Sequence, residues 1–355
     1  MKKHNFSAGP SILPQEVINQ ASKSIIELDN IGLSLIEISH RSKEFISIME
    51  EASDRVLKIT GLKEKGYKAI FVQGGASLQF LMTAYNLLEN KGAYINTGTW
   101  SVKAIKEAKI LGNVLEISTS KDKNFNYIPK NYDIPEDLDY LHITTNNTIF
   151  GTQYKLFPET SVPLIADMSS DIFSRKIDYS KFDLFYAGAQ KNMGPAGVTL
   201  VVIKESILNK VSREIPSMLN YTSYINAASM SNTPPVFAVY TTLLNLRWIE
   251  SQGGLQELDK RNKVKAQILY NEIDRNSCFV GFALKEDRSF MNVTFTLKNE
   301  SLSGDFNNIW ESNNISGLKG HRSVGGYRAS IYNALPIESV EVLIKCMQKF
   351  EEKFK

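Results

Sequence analysis

The sequence predicts an α/β protein: a large domain with a mostly parallel, mixed seven-stranded sheet between helices, plus a smaller C-terminal α/β domain. Three observations support this. Seven short apolar runs alternate with longer segments of helical period over residues 67–203. The Gly-Gly pair in SQGGLQEL, residues 251–258, interrupts that alternation before a long polar helix. The 355 residues, 43% of them hydrophobic, supply apolar surface for a substantial core and suit one large domain with a smaller companion.

Read in order, an irregular arm comes first. Residues 15–30 and 42–60 then carry apolar side chains near a 3.6-residue period: Ile18, Ile25, Ile26 and Leu28, then Ile46, Met49, Val56 and Leu57. Two helices are expected there. The strand runs begin with YKAIFVQ at 67 and continue through AYINTG at 93, NVLEIS at 113, YLHITT at 140, PLIADMS at 163, FDLFYAG at 182 and VTLVVI at 198. Helices between strands imply crossover connections, hence a largely parallel sheet covered on both faces. The runs at 182 and 198 are joined by a turn containing Gly194, Pro195 and Gly197 and are expected to form a hairpin, which makes the sheet mixed. Beyond the Gly-Gly pair, FMNVTFTL at 290 and GYRASIY at 326 read as strands and Ile337 to about Phe354 as a last helix. The expected domains are residues 16–254 and, as a second unit, residues 1–15 with 255–355.

Composition excludes several classes of function. The 41 basic residues barely exceed the 38 acidic ones, a balance too even to grip nucleic acid or anionic lipid, so any basic site must be local. Neither of the two cysteines, Cys278 and Cys346, belongs to a CxxC pair. His4, His40, His142 and His321 lack paired ligand spacing, so no metal is expected. The start, MKKHNFSAGPSILP, lacks the apolar stretch of a signal peptide, and no run long enough to span a bilayer follows. A cytoplasmic protein without nucleic-acid or membrane partners is expected.

Three segments carry chemistry that is weak singly and specific together. In VQGGASLQF a strand runs through two glycines into a helix beginning near Ala76 and Ser77, where unpaired amides and the positive end of the helix dipole suit an anion. The stretch matches neither the Walker pattern nor GxGxxG, and by itself reads equally well as an ordinary turn. Asp167 ends the strand in IADMSSD, and alone reads more readily as a turn-capping residue than as a functional acid. Lys191 follows the strand FDLFYAG, a place where an unpaired ammonium is costly. A phosphate cup, an acid and a lysine at strand ends are what pyridoxal 5'-phosphate requires. The helix start holds phosphate, the carboxylate keeps the pyridine nitrogen protonated, and the lysine amine forms an imine. A fourth constellation is basic: SHRSK at 39–43 and KGHRSVGGYRAS at 319–330. Two His-Arg pairs plus Arg328 exceed what one amino-acid carboxylate needs and suggest a substrate with two anionic ends.

With those residues in view, the chain resembles the class V, fold-type I family of pyridoxal-phosphate-dependent aminotransferases, in its phosphoserine aminotransferase branch. The resemblance runs along essentially the whole chain through NFSAGPSILP, SHRS, FVQGGASLQF, NTGTWS, NNTIFGTQY, ADMSSD, YAGAQKNMGPAG, SNTPP and GHRSVGGYRAS. It implies that Lys191 is the imine-forming lysine, Asp167 the partner of the pyridine nitrogen and Trp100 a stacking platform for the ring. It also implies that Thr148 contacts the ring's polar edge and that Ala76, Ser77 and Gln190 hold the phosphate. The resemblance further implies a homodimer with shared sites, in which Asn232 and Thr233 reach the other subunit's cofactor phosphate. For substrate it assigns Arg328 to the α-carboxylate and Ser7 to glutamate. His40 and Arg41, from across the interface, and His321 and Arg322 are assigned to the phosphate or side-chain carboxylate.

The implied activity is ping-pong transamination between L-glutamate and 3-phosphohydroxypyruvate, giving O-phospho-L-serine and 2-oxoglutarate. Whether 4-phosphohydroxythreonine is also a substrate stays open. An alanine-glyoxylate-type transaminase does not need the two His-Arg pairs, and a cysteine desulfurase needs a nucleophilic thiol on a mobile loop. Cys346, within the last apolar helix, reads instead as a buried structural thiol. A non-catalytic phosphate-binding dimer would have no use for Asp167 and Lys191.

Overall fold

The computed structural model describes residues 3–322 and 324–355. The strands are β1 (His4–Asn5), β2 (Tyr67–Val72), β3 (Lys91–Asn96), β4 (Asn113–Thr119), β5 (Tyr140–Thr144), β6 (Asn146–Asn147), β7 (Thr152–Gln153), β8 (Leu164–Asp167), β9 (Leu184–Gly188), β10 (Thr199–Lys204), β11 (Phe279–Gly281), β12 (Asn292–Leu297), β13 (Ile315–Ser316) and β14 (Tyr327–Ser330). The α-helices are α1 (Gln15–Ile26), α2 (Lys43–Thr60), α3 (Gly75–Leu87), α4 (Thr99–Ala108), α5 (Tyr221–Asn226), α6 (Val236–Ser251), α7 (Gly254–Arg275), α8 (Ser303–Ser312) and α9 (Ile337–Phe354).

The seven apolar runs become one seven-stranded sheet in the order β2-β10-β9-β8-β5-β3-β4. Only β10 runs against its neighbours, and its antiparallel pairing with β9 is the expected hairpin. Because β10 is antiparallel to β2 as well, β2 runs the same way as the rest, and six strands end at the same edge. Side chains on alternate positions enter opposite cores. Ala69, Phe71, Leu200 and Val202 face a core built with α1, α2 and α6. Ile70, Val72, Val201 and Ile203 face one built with α3, α4 and α5. Strands β5, β8 and β9 are buried at every position, as expected of a sheet covered on both faces.

The first helix differs from its sequence reading. It stops at Ile26 rather than continuing to residue 30, because Asp29 and Asn30 take positive φ and turn the chain. Its buried positions are Val17, Ala21 and Ser24, whereas Ile18, Ile25 and Ile26 point outward, Ile26 at 84% exposure. The second helix begins where Ser42 accepts the Phe45 amide and ends on Gly61 at φ 68°.

A separate core gathers α7, α8, α9 and the β11-β12-β14 sheet around Phe279, Phe295, Phe306 and Phe350. Phe6, from the N-terminal arm, is fully buried in it, and β1 pairs in parallel with β13 beside it. Cys346 also lies there, buried as expected, where desolvation pushes its thiol up to about 11. None of the described helices is long and apolar enough to cross a membrane. Phe6→Ala should cost about 3–5 kcal/mol of stability, as large-to-small changes at fully buried aromatic positions do. Calorimetry would show this as a lowered unfolding midpoint, and an unchanged midpoint would mean that the arm is not part of this core.

Candidate active site

The shared edge of the sheet opens into a cavity of about 470 Å³. Each exit from the sheet delivers a different group to it, which is the expected place for a ligand in an open α/β sheet. The exit of β2 leads through Gly74 and Gly75 into α3, and that of β3 leads to Trp100. The exit of β5 leads to Thr148, β8 ends on Asp167, and β9 leads to Gln190 and Lys191. The turn before β14 and β14 itself contribute His321 and Arg328, and the N-terminal arm contributes Ala8 and Gly9.

Lys191 donates its amine to the Thr148 hydroxyl at 2.7 Å and stands 5.7 Å from the centre of the Trp100 ring. Burial pushes its ammonium down to about 8. The Asp167 charge works against this shift, and the Arg328 guanidinium adds to it. Asp167 is 4% exposed, and burial lifts its carboxyl above the usual range, against the pull of Lys191 and of the Ser169 amide bonded at 2.9 Å. The Ser169 hydroxyl in turn accepts the Gly188 amide at 3.2 Å, tying β8 to β9 beneath the cavity. Burial, with Arg328, Arg322 and Lys103 adding to it, lowers His321 below the ordinary imidazole value.

At the start of α3 the first turn has no acidic residue and no side-chain cap. Gly74 takes φ 91°, and a Cβ there would stand 2.4 Å from Leu78 Cδ2, so the sharp turn that exposes the helix start requires glycine. These features fit pyridoxal phosphate. The amides of the α3 start suit its phosphate, a carboxyl lifted by burial wants a cationic neighbour such as a pyridinium, and Trp100 supplies a flat face. Two buried donors lining the cavity, Trp100 Nε1 and Arg328 Nε, have no partner among the described residues.

The structure therefore brings together Ala76, Ser77, Trp100, Thr148, Asp167, Gln190, Lys191, His321 and Arg328. It does not bring the others into the same cavity. Ser7 lies just outside it, its hydroxyl against Gly317. His40 and Arg41 occupy the loop between α1 and α2, and Arg322 points to solvent. Asn232 donates to the Gln73 side chain at 3.0 Å, immediately before the glycine turn. Sequence reasoning missed Ser169, Ile149, Ala8 and Gly9. Only Ser169 had a signal, since an aspartate whose side chain caps the residue two positions on is a recurrent turn.

Comparisons with known proteins identify the family. Residues 3–343 match the model of the aminotransferase class-V family. The chain belongs to that family. It is 59% identical over 355 residues to the phosphoserine aminotransferase of Flavobacterium psychrophilum, covering 99% of this chain and 100% of that one. Among solved structures, the phosphoserine aminotransferase of Bacillus circulans subsp. alkalophilus superposes with a TM-score of 0.97 at 43% identity, covering 100% of this chain and 99% of that one. The pyridoxal-phosphate-bound phosphoserine aminotransferase of Trichomonas vaginalis does so with a TM-score of 0.93 at 36% identity, covering 98% of this chain and 100% of that one.

Since Lys191 is neutral above about pH 8, its modification by an acylating reagent in cofactor-free protein should rise with pH to a midpoint near 8. Asp167→Asn removes a charge that favours the ammonium, so the midpoint should move lower. A midpoint near the ordinary lysine value would show that the amine is solvated.

Proposed function

We propose that this enzyme is a phosphoserine transaminase dependent on pyridoxal phosphate, exchanging an amino group between L-glutamate and 3-phosphohydroxypyruvate to give O-phospho-L-serine and 2-oxoglutarate. The observation that carries the reading is the convergence of Lys191, Asp167 and the α3 start on one cavity that Arg328 also lines. When bound, the cofactor supplies an electrophilic carbon and an electron sink for the substrate's Cα.

The chain's own residues do the rest. Lys191 is the group that moves a proton at Cα, and its lowered affinity for protons keeps a neutral fraction available near neutral pH. The Thr148 hydroxyl, 2.7 Å away, fixes the direction from which that amine acts. Asp167, anchored by the Ser169 amide, holds a proton on a ring nitrogen. Arg328 takes the substrate's α-carboxylate through its planar fork, which aligns Cα with the lysine. Ala76, Ser77 and Gln190 serve the cofactor phosphate, and Trp100 the ring face. His321 and Arg322 serve the distant anionic end, and Ser7 the glutamate complex.

His40, Arg41, Asn232 and Thr233 complete the site from a second subunit in our reading, which makes the enzyme a homodimer. Supporting this, His40 and Arg41 lie outside their own cavity while the nearby Ile18, Ile25, Ile26, Ile31, Leu33 and Ile36 are exposed, an apolar surface suited to a second copy. We assign residues 16–254 to the cofactor-binding domain and 1–15 with 255–355 to the small domain, a division supported by the separate core around Phe6 and Phe350. A cytoplasmic location accords with this activity.

Purified enzyme should convert phosphoserine and 2-oxoglutarate, and Lys191→Ala should lose turnover by at least about a thousandfold, together with the cofactor's imine absorbance. Faster turnover of alanine with glyoxylate than of phosphoserine would refute the substrate assignment. Arg41→Ala should raise KM for phosphoserine by about tenfold or more, the scale of a lost charge-assisted contact, and an unchanged KM would remove Arg41 from the site.

A further inference from the structure

Lys191 is held along its backbone as well as at its amine, and the residue that holds it comes from the N-terminal arm. Ser11 donates its amide to the Gln190 carbonyl at 2.9 Å and its hydroxyl to the Lys191 carbonyl. The same arm is bound to the other side of the cavity. The Ser330 amide donates to the Phe6 carbonyl at 3.3 Å, and the Tyr332 hydroxyl donates to the Ala8 carbonyl at 2.8 Å. Ser330 ends β14, the strand that carries Arg328. Between these anchors Gly9 passes so close that a Cβ on it would stand 3.4 Å from Lys191 Cγ. Residues 6–11 thus form a strap between the strand of Arg328 and the turn of Lys191.

We propose that Ser11 is a positioning residue for Lys191: by fixing the Gln190–Lys191 backbone relative to the strand of Arg328, it sets where the lysine amine meets a substrate held at Arg328. The inference rests on the reading of Lys191 as the reacting amine. A lysine acts at the end of a long flexible stem, so its accuracy depends on how firmly the backbone at its root is held, and misplacements of about 1 Å cost heavily in rate. The turn itself has a second, independent anchor. Asn192 Oδ1 accepts the Asn333 amide at 3.0 Å, and the Asn192 carbonyl accepts Asn245 Nδ2 at 3.0 Å. Loss of the Ser11 hydroxyl therefore loosens one flank without releasing the turn. The charged groups acting on Lys191 are Asp167 and Asp171, at and beyond the end of β8, and Arg328 from β14. Ser11 adds no charge, so any change in the titration of Lys191 on its truncation reports displacement relative to those groups.

The test compares wild-type, Ser11→Ala and Ser11→Thr holoenzymes in steady-state kinetics with phosphoserine and in pH titration of the cofactor absorbance. Ser11→Ala should lower kcat about tenfold with little change in KM and should shift the pH midpoint of the absorbance, and Ser11→Thr should restore both. A variant with wild-type kcat and midpoint but a lowered thermal midpoint makes Ser11 a structural contact only and overturns the proposal. Should Ser11→Ala not fold, Tyr332→Phe frees the Ala8 end of the strap while leaving Ser11 in place. A shifted absorbance midpoint then supports the proposal, and an unshifted one overturns it. Wild-type enzyme without a Lys191-dependent absorbance overturns the reading of Lys191 itself, a failure distinct from that of Ser11.

Discussion

A half-buried ammonium and a buried carboxyl, each perturbed by desolvation, face one cavity at the edge of a mostly parallel sheet, and the surrounding architecture serves to hold them there. Burial drives Lys191 toward its neutral form and Asp167 toward its protonated form, while their mutual attraction opposes both shifts. Neither charge is fully satisfied by the protein alone. Such an unresolved balance is what a cofactor with an electrophilic carbon and a basic ring nitrogen can settle, because it engages the lysine and offers the aspartate a cation.

The balance requires the strand ends to coincide. Crossover helices force the strands to run in parallel, so the chain leaves the sheet repeatedly at one edge, and each exit brings a different group. Antiparallel β10 does not disturb this, because it reverses twice, against β9 and against β2, and leaves the glycine turn of β2 on the same side as Lys191. The unit built around Phe279 and Phe350 supplies the opposite wall, through His321 and Arg328. Its seam with the sheet unit is polar and densely bonded: Asn262 Nδ2 donates to the Ser174 carbonyl at 2.8 Å, Asn333 Nδ2 to the Phe173 carbonyl at 2.9 Å, and Asn146 Nδ2 to Asn292 Oδ1 at 2.8 Å. Directional bonds of this kind fix the placement of Arg328 relative to Lys191 more tightly than apolar packing alone.

The central sheet was legible because its seven strands are short apolar runs separated by helical segments, a pattern set by burial on both faces. Lys191, Asp167 and the α3 start were legible because lysine and aspartate at the ends of apolar runs are costly without a purpose. What the apolar face of α1 meets was not legible: Ile18, Ile25 and Ile26 keep a helical period yet are exposed, because periodicity records that a surface is apolar and not what it meets. The contacts of the arm were not legible at all. His4–Asn5 pairs with residues more than 300 positions away, and the bonds from Ser11 to Gln190 and Lys191 are side-chain and amide contacts with no local pattern.

By itself, the sequence determined the α/β class, the order of the strands along the chain, the cofactor chemistry and most of the residues that line the cavity, because local hydrophobic period and residue chemistry are written position by position. Tertiary structure alone decided which groups share a cavity, how far burial moves Lys191 and Asp167, and that the arm bridges the two walls. Those are properties of distance and of solvent exclusion, and neither exists until the chain has closed on itself.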